Sequence, residues 1–173
     1  MLVGRPASGK SYLARLVAER LDAELLQTDN LRKQMFAVPR YTGRESGAVY
    51  LAAQRRIGQL LRAGRTVVFD ATNLVERSRA HLYRLAEQAG AELVVVLAWA
   101  PLAVIRERLA AREAGRDPLD RSDADWAIFL KLNRVDPIRR PHLVVNTAID
   151  LTQACELVAR RARVDAPSGC HPL

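Results

Sequence analysis

The sequence predicts an α/β fold in three layers, with a mainly parallel five-stranded sheet between two layers of helices. Three observations carry this. Short apolar runs of strand type alternate with longer amphipathic stretches of helical period along the 173 residues. A glycine-rich octapeptide, Gly4-Arg5-Pro6-Ala7-Ser8-Gly9-Lys10-Ser11, joins the first apolar run to the first amphipathic stretch. Two further runs lead straight into polar segments carrying Asp29 and Asp70, at the strand ends where open parallel sheets bind ligands.

The elements follow in order. Met1 to Val3 reads as a clipped first strand, shorter than the roughly five residues of a usual strand, so a natural start upstream of Met1 is expected. Leu13, Leu16, Val17 and Leu21 mark one helix face, and Leu25 to Thr28 a second strand followed by a short helix through Met35. Val49, Ala53, Ile57, Leu60 and Leu61 mark a helix that Gly64 closes. Thr66 to Phe69 is a β-branched third strand; Leu82, Leu85, Ala86 and Ala89 form the next helix, closed by Gly90. Leu93 to Ala98, apolar throughout, suits a strand buried on both faces. Pro101 suits the first turn of a helix carrying Leu102, Ile105 and Leu109. Ser122 with Asp125 reads as a capping box opening a helix through Trp126, Ile128, Phe129 and Leu132. Leu143 to Asn146 is the fifth strand, and Asp150 caps a last helix with Leu151, Ala154, Leu157 and Val158. One domain over residues 1–164 is expected, with a loose tail at 165–173 holding two prolines and a glycine.

Composition bounds the function. The longest apolar run, Leu93 to Leu102, is half of what a membrane span needs. No basic leader with an apolar stretch opens the chain. Cys155 and Cys170 form neither a metal spacing nor a disulfide framework. A cytoplasmic setting is the expectation. Lys and Arg total 27 against 19 Asp and Glu, a net charge of +8, which favours anionic partners such as nucleotides, phosphorylated metabolites or nucleic acid. Oligomeric state is not legible.

The octapeptide fills every fixed position of G-x-x-x-x-G-K-[ST]. Successive backbone N–H groups must converge on one phosphate, and glycine permits the dihedrals that this needs. The following helix adds unpaired N–H groups and the positive end of its dipole. Gly4, Pro6, Ala7, Ser8 and Gly9 would supply the loop, Lys10 would reach the β- and γ-phosphates of ATP, and the Ser11 hydroxyl would ligate Mg²⁺.

Asp29 reads either as a general base that takes the proton of an acceptor hydroxyl or as the N-cap of the short helix. Arg32, on the same helical face, either holds an anionic part of the acceptor or is a solvated surface residue. Asp70 reads as the acid that acts on Mg²⁺ at the end of a buried strand. Thr72 and Asn73 either bond the substrate or cap the next helix, capping being favoured for Asn73. Arg106, Arg108, Arg112, Arg116 and Arg121 cluster in one charged segment. Arg108 and Arg112 share a helix face. The cluster reads as a lid over about 106–125 that neutralises charge on a transferring phosphoryl group, the alternative being a solvated face paired with Glu107, Glu113, Asp117 and Asp120.

Together GRPASGKS, TDNLRKQMF, VFDATNL and RLAAREAGRDPLDRSDADW resemble the small P-loop kinases related to 5′-hydroxyl polynucleotide kinases, among domains often labelled AAA-type ATPases. The resemblance spans the chain to about Val158. It implies a P-loop three-layer fold with strand order 2-3-1-4-5 and transfer of the γ-phosphate of ATP, with Mg²⁺, to a hydroxyl. It also implies Asp29 as the base, Arg32 as the anchor of the acceptor's phosphate, and Arg108, Arg112 and Arg116 as contacts to the ATP phosphates, the last two catalytic. A polynucleotide 5′-hydroxyl or nucleoside-like acceptor is the expectation, with a sugar, antibiotic or metabolite, or slow ATP hydrolysis by a regulatory module, as alternatives. Three Phe, four Tyr and two Trp offer few platforms for base stacking.

Overall fold

The computed structural model describes residues 1–115, 125–132 and 134–164. In chain order these form β1 (Leu2–Val3), α1 (Lys10–Leu21), β2 (Glu24–Gln27), α2 (Thr28–Met35), α3 (Gly43–Arg62), β3 (Val67–Asp70), α4 (Glu76–Gln88), β4 (Val96–Trp99), α5 (Leu102–Glu113), α6 (Trp126–Lys131), β5 (Leu143–Asn146) and α7 (Thr152–Val164). The expected lid is described as far as Gly115; Arg116, Arg121 and Ser122 lie outside the described residues, as do Cys170 and the whole tail 165–173.

All strand pairs are parallel, in two hydrogen-bonded ladders. One runs β1-β4-β5, with Leu2 opposite Val96 and Val96 opposite Leu143; the other pairs β2 with β3, from Glu24 opposite Val67 to Gln27 opposite Asp70. The ladders meet at their carboxyl ends, where the Gly4 N–H donates to the Thr72 carbonyl (3.0 Å) and Asn73 Nδ2 donates to the Leu2 carbonyl (2.7 Å). With only two residues, β1 is too short for a longer ladder of its own with β3.

The core forms on both faces. Leu2, Val96, Ala98 and Val145 pack under Leu13 and Val17 of α1 and Cys155 and Val158 of α7. Across the sheet, Val3 and Val95 pack under Tyr83 of α4, and Phe69 joins Ala53 and Ile57 of α3 with Leu82. Leu13 is fully buried, a contribution of about 2–3 kcal/mol from that side chain alone.

The glycine stops behave as the sequence indicates. Gly64 (φ +69°) and Gly90 (φ +60°) take the left-handed conformation. Gly64 N–H bonds Leu61 O while Arg65 N–H bonds Leu60 O; Gly90 and Ala91 repeat the pattern on Glu87 and Ala86. Both are Schellman closures.

Several local expectations shift. β4 begins at Val96 and runs one residue past the expected Ala98 to the exposed Trp99, and Leu97 within it is half-buried. Pro101 is the N-cap of α5 rather than its first helical residue. Asp125 is itself the N-cap of α6, accepting from the Ile128 N–H at 2.7 Å. Asp150 accepts from the Thr152 N–H and hydroxyl at the start of α7, while Leu157 points outward. No described helix is long and apolar enough to cross a membrane.

Candidate active site

The phosphate loop runs from β1 to α1. Ala7 (φ +57°) and Gly9 (φ +77°) are left-handed, the alternation that turns successive N–H groups into one concavity. Ser8 N–H bonds Arg5 O at 3.2 Å. Gly9 is the N-cap of α1 and provides no side-chain cap, and the first turn carries no acidic residue. A Cβ on Gly9 would lie 2.6 Å from Thr147 Oγ1, and one on Gly4 2.6 Å from the Ala98 carbonyl, so neither position has room for a side chain. Pro6, Ala7 and Ser8 are buried; Lys10 and Ser11, the first residues of α1, are half-buried. The Ser8 hydroxyl oxygen is buried without a hydrogen-bond partner.

A bracket from the far ladder fixes the loop. Just past β5, the Thr147 N–H bonds the Trp99 carbonyl (2.8 Å) and its hydroxyl donates to the Ser8 carbonyl (2.7 Å). The Arg108 guanidinium donates to Ala7 O (3.2 Å), Thr147 Oγ1 (2.9 Å) and Thr147 O (2.6 Å). Burial pushes its pKa below the ordinary value. Arg108 thus braces the back of the loop, a correction to its expected place on a lid. Arg112, one turn on, is half-buried. Arg106 lies over the Trp126 ring (5.1 Å), Trp126 stacks on Phe129 (5.1 Å, 20°), and Arg5 of the loop lies over Phe129 (5.0 Å). This column ties the loop to α5 and α6.

Asp70 is the last residue of β3 and is buried. Its Oδ2 accepts from Gln27 Nε2 at 2.9 Å, and Gln27 Oε1 accepts from Asn30 Nδ2 at 2.8 Å. Its Oδ1 is buried with no partner. An oriented carboxylate with one unanswered oxygen fits a cation ligand.

Asp29 is the second residue of α2 and half-buried; Gln27, in extended conformation, is the N-cap. The capping alternative for Asp29 is therefore corrected. Its carboxylate lies in the first turn, where the helix dipole favours negative charge.

Asn73 is likewise not a cap: α4 starts after Val75 without a side-chain cap. Asn73 is wholly buried at φ +48°, and its side chain faces β1 through the Leu2 carbonyl rather than a cleft. Its N–H donates to the Tyr50 hydroxyl (3.3 Å), which also bonds the Thr72 side chain. Burial pushes the Tyr50 phenol up, and the Asp29 charge adds to this while Arg32 opposes it. Tyr50, Asp29, Arg32 and Thr72 therefore form one electrostatic neighbourhood beside the loop.

Arg32 is 7% exposed, which overturns the solvated alternative. It donates to Glu45 Oε1 (3.2 Å) and Ser46 Oγ (3.3 Å), and its guanidinium lies over the Tyr41 ring (4.7 Å). Burial acts to raise the Glu45 pKa, but the Arg40 N–H and the Arg32 guanidinium outweigh it and hold the carboxyl below its ordinary value. Glu45 also sits in a reciprocal capping box with Thr42, whose hydroxyl accepts from the Glu45 N–H at 3.2 Å. That T-x-x-E spacing is the sequence signal that locates Glu45. Gln27, Tyr50 and Arg79 carry no such local signature. Arg79, fully buried, holds the β3–α4 loop through five hydrogen bonds: to Glu76 Oε2, and to the carbonyls of Asn73, Leu74, Asp136 and Pro137.

Residues 1–134 match the AAA domain family. Uncharacterized proteins of Mycobacterium tuberculosis and Mycobacterium bovis are 31% identical over 157 residues, covering 79% of this chain and 32% of theirs. The chain thus spans about a third of the length of the curated relatives it matches. Among solved structures, Kti12 of Chaetomium thermophilum in complex with ADP-AlF3 has a TM-score of 0.71 at 20% identity, covering 92% of this chain and 94% of that one. The APS kinase CysC of Mycobacterium tuberculosis in complex with AMPPNP and APS has a TM-score of 0.68 at 20% identity, with the same coverage. A gluconokinase of Sinorhizobium meliloti has a TM-score of 0.54 at 22% identity, covering 94% of this chain and 87% of that one. These likenesses show a P-loop kinase-like α/β fold. The matched family model and the phosphate loop together place the chain as a member of the AAA domain family.

Proposed function

We propose that residues 1–164 form one kinase domain that transfers the γ-phosphate of ATP to a hydroxyl acceptor, its two ladders acting as one sheet in the order 2-3-1-4-5. The observation that carries this is the placement of Asp29 and Asp70 at the carboxyl ends of the paired strands β2 and β3, beside a phosphate loop braced from behind by Thr147 and Arg108. A module that only bound nucleotide would need the loop but not the second carboxylate.

In this reading the loop N–H groups from Ala7 to Ser11 hold the β-phosphate and Lys10 spans the β- and γ-phosphates. Ser11 and Asp70 would hold Mg²⁺, which supplies positive charge to the phosphate oxygens when bound. Gln27 keeps the unpartnered Asp70 oxygen aimed. Asp29 orients the acceptor hydroxyl and takes its proton, with Thr72 and Tyr50 beside it. Arg112 and Arg116 would steady charge on the moving phosphoryl group.

Of the two acceptor classes, a polynucleotide 5′-hydroxyl is supported by the net charge of +8, whereas the engaged Arg32 supports a small molecule. Calorimetry with AMPPNP and Mg²⁺ tests the donor side. Lys10→Ala, which leaves the core intact, is expected to weaken binding by at least about tenfold, the loss of one charge-assisted contact. Equal affinity in wild type and variant ends the phosphotransferase reading.

A further inference from the structure

The acceptor side holds its own counter-charge. Arg32 and Glu45 are both nearly inaccessible, with side chains 8% and 7% exposed and 3.2 Å apart. Ser46 Oγ takes a second donor of Arg32 and the Tyr41 ring covers the guanidinium face. The other Glu45 oxygen accepts from the Arg40 N–H at 2.9 Å, so the carboxylate is held on both sides and cannot swing away with the arginine. An acceptor phosphate or carboxylate that drew Arg32 off Glu45 would strand Glu45 as a buried anion, and Nε, the guanidinium nitrogen left without a partner, is itself buried. Separating a buried pair in this way weakens binding by roughly 10²- to 10⁴-fold. Asp29, one turn before Arg32 on the same helix, presents a second negative charge to any anion.

We propose that Glu45 sets acceptor specificity: by neutralising Arg32 it makes the site select an uncharged, hydroxyl-bearing small molecule of sugar or nucleoside type and reject phosphorylated or carboxylated ones, nucleic-acid ends included. The inference rests on the phosphotransferase reading of this site. The bland role of Glu45 is to close the capping box of α3, and that role is separable, because glutamine serves in a capping box as well as glutamate. Glu45→Gln removes the charge and keeps one acceptor oxygen for the cap, with an NH2 group in place of the oxygen that faces Arg32.

The test is calorimetry in two steps. Wild type and E45Q are first saturated with AMPPNP and Mg²⁺, which fills the phosphate loop, and are then titrated with inorganic phosphate. The expected result is phosphate affinity at least about tenfold higher in E45Q than in wild type, the lower end of a charge-assisted contact. The double variant R32Q/E45Q, which has no buried charge left to pair, is expected to lose that gain. Failure of wild type to bind AMPPNP overturns the phosphotransferase reading and this inference with it. Intact AMPPNP binding with equal phosphate affinities, or a gain that survives in the double variant, overturns this inference alone. Filled wild-type protein that binds inorganic phosphate with a Kd below about 1 mM also overturns it, whether or not the variants fold. Transfer of labelled phosphate by wild type to glucose 6-phosphate in preference to glucose, or to adenosine 3′-monophosphate in preference to adenosine, does the same.

Discussion

Replacing Arg79 by lysine tests whether the site's floor is held as the structure indicates. Arg79 is fully buried and spends all five of its donors: one on Glu76 and four on the carbonyls of Asn73, Leu74, Asp136 and Pro137. Those acceptors lie on opposite sides of the guanidinium, in the β3–α4 loop and in the segment before β5. Lysine keeps the charge, but its three donors share one nitrogen, so at least two acceptors go unanswered. Charge-assisted bonds contribute about 1.5–3 kcal/mol each, so Arg79→Lys is expected to cost about 3–6 kcal/mol. At the lower end this lowers Tm by about 6–12 °C for a chain of this size. Urea denaturation followed by circular dichroism reads the change. A loss under about 1 kcal/mol with an unchanged urea slope refutes the reasoning, because it means the carbonyls find other donors. The same loop carries Thr72, so a variant rescued by low temperature is expected to show a raised acceptor KM with unchanged ATP affinity.

One further prediction concerns a single group. Asp29→Asn keeps the length of the side chain in the first turn of α2, yet it cannot take a proton. Turnover should fall by roughly 10²–10⁴, and full activity with an unchanged melting temperature would leave Asp29 as a helix-dipole residue.

The residues whose conformation is locally determined were legible in the sequence. Glycine at a left-handed position, the spacing of apolar residues and the run from Gly4 to Ser11 act through φ/ψ and periodicity within one or two turns. They locate the phosphate loop, the helix stops at Gly64 and Gly90, and the strands that end near Asp29 and Asp70. Caps were less legible: Asp29, Asn73 and Pro101 all sit one or two positions from the place their type suggests, since a shift of one or two residues at a strand end moves the cap of the helix that follows it. Partnerships across the chain were not legible at all. Arg108 braces a loop 101 residues away, Gln27 orients an aspartate 43 residues away, and Arg79 clamps carbonyls 57 and 58 residues away. Sequence spacing carries no information about such pairs, because parallel strand register and helix packing decide which arginine meets which acceptor. Arg32 is the sharpest case. Its type and position suggest an anion anchor, and only the fold shows that it is buried and paired with Glu45.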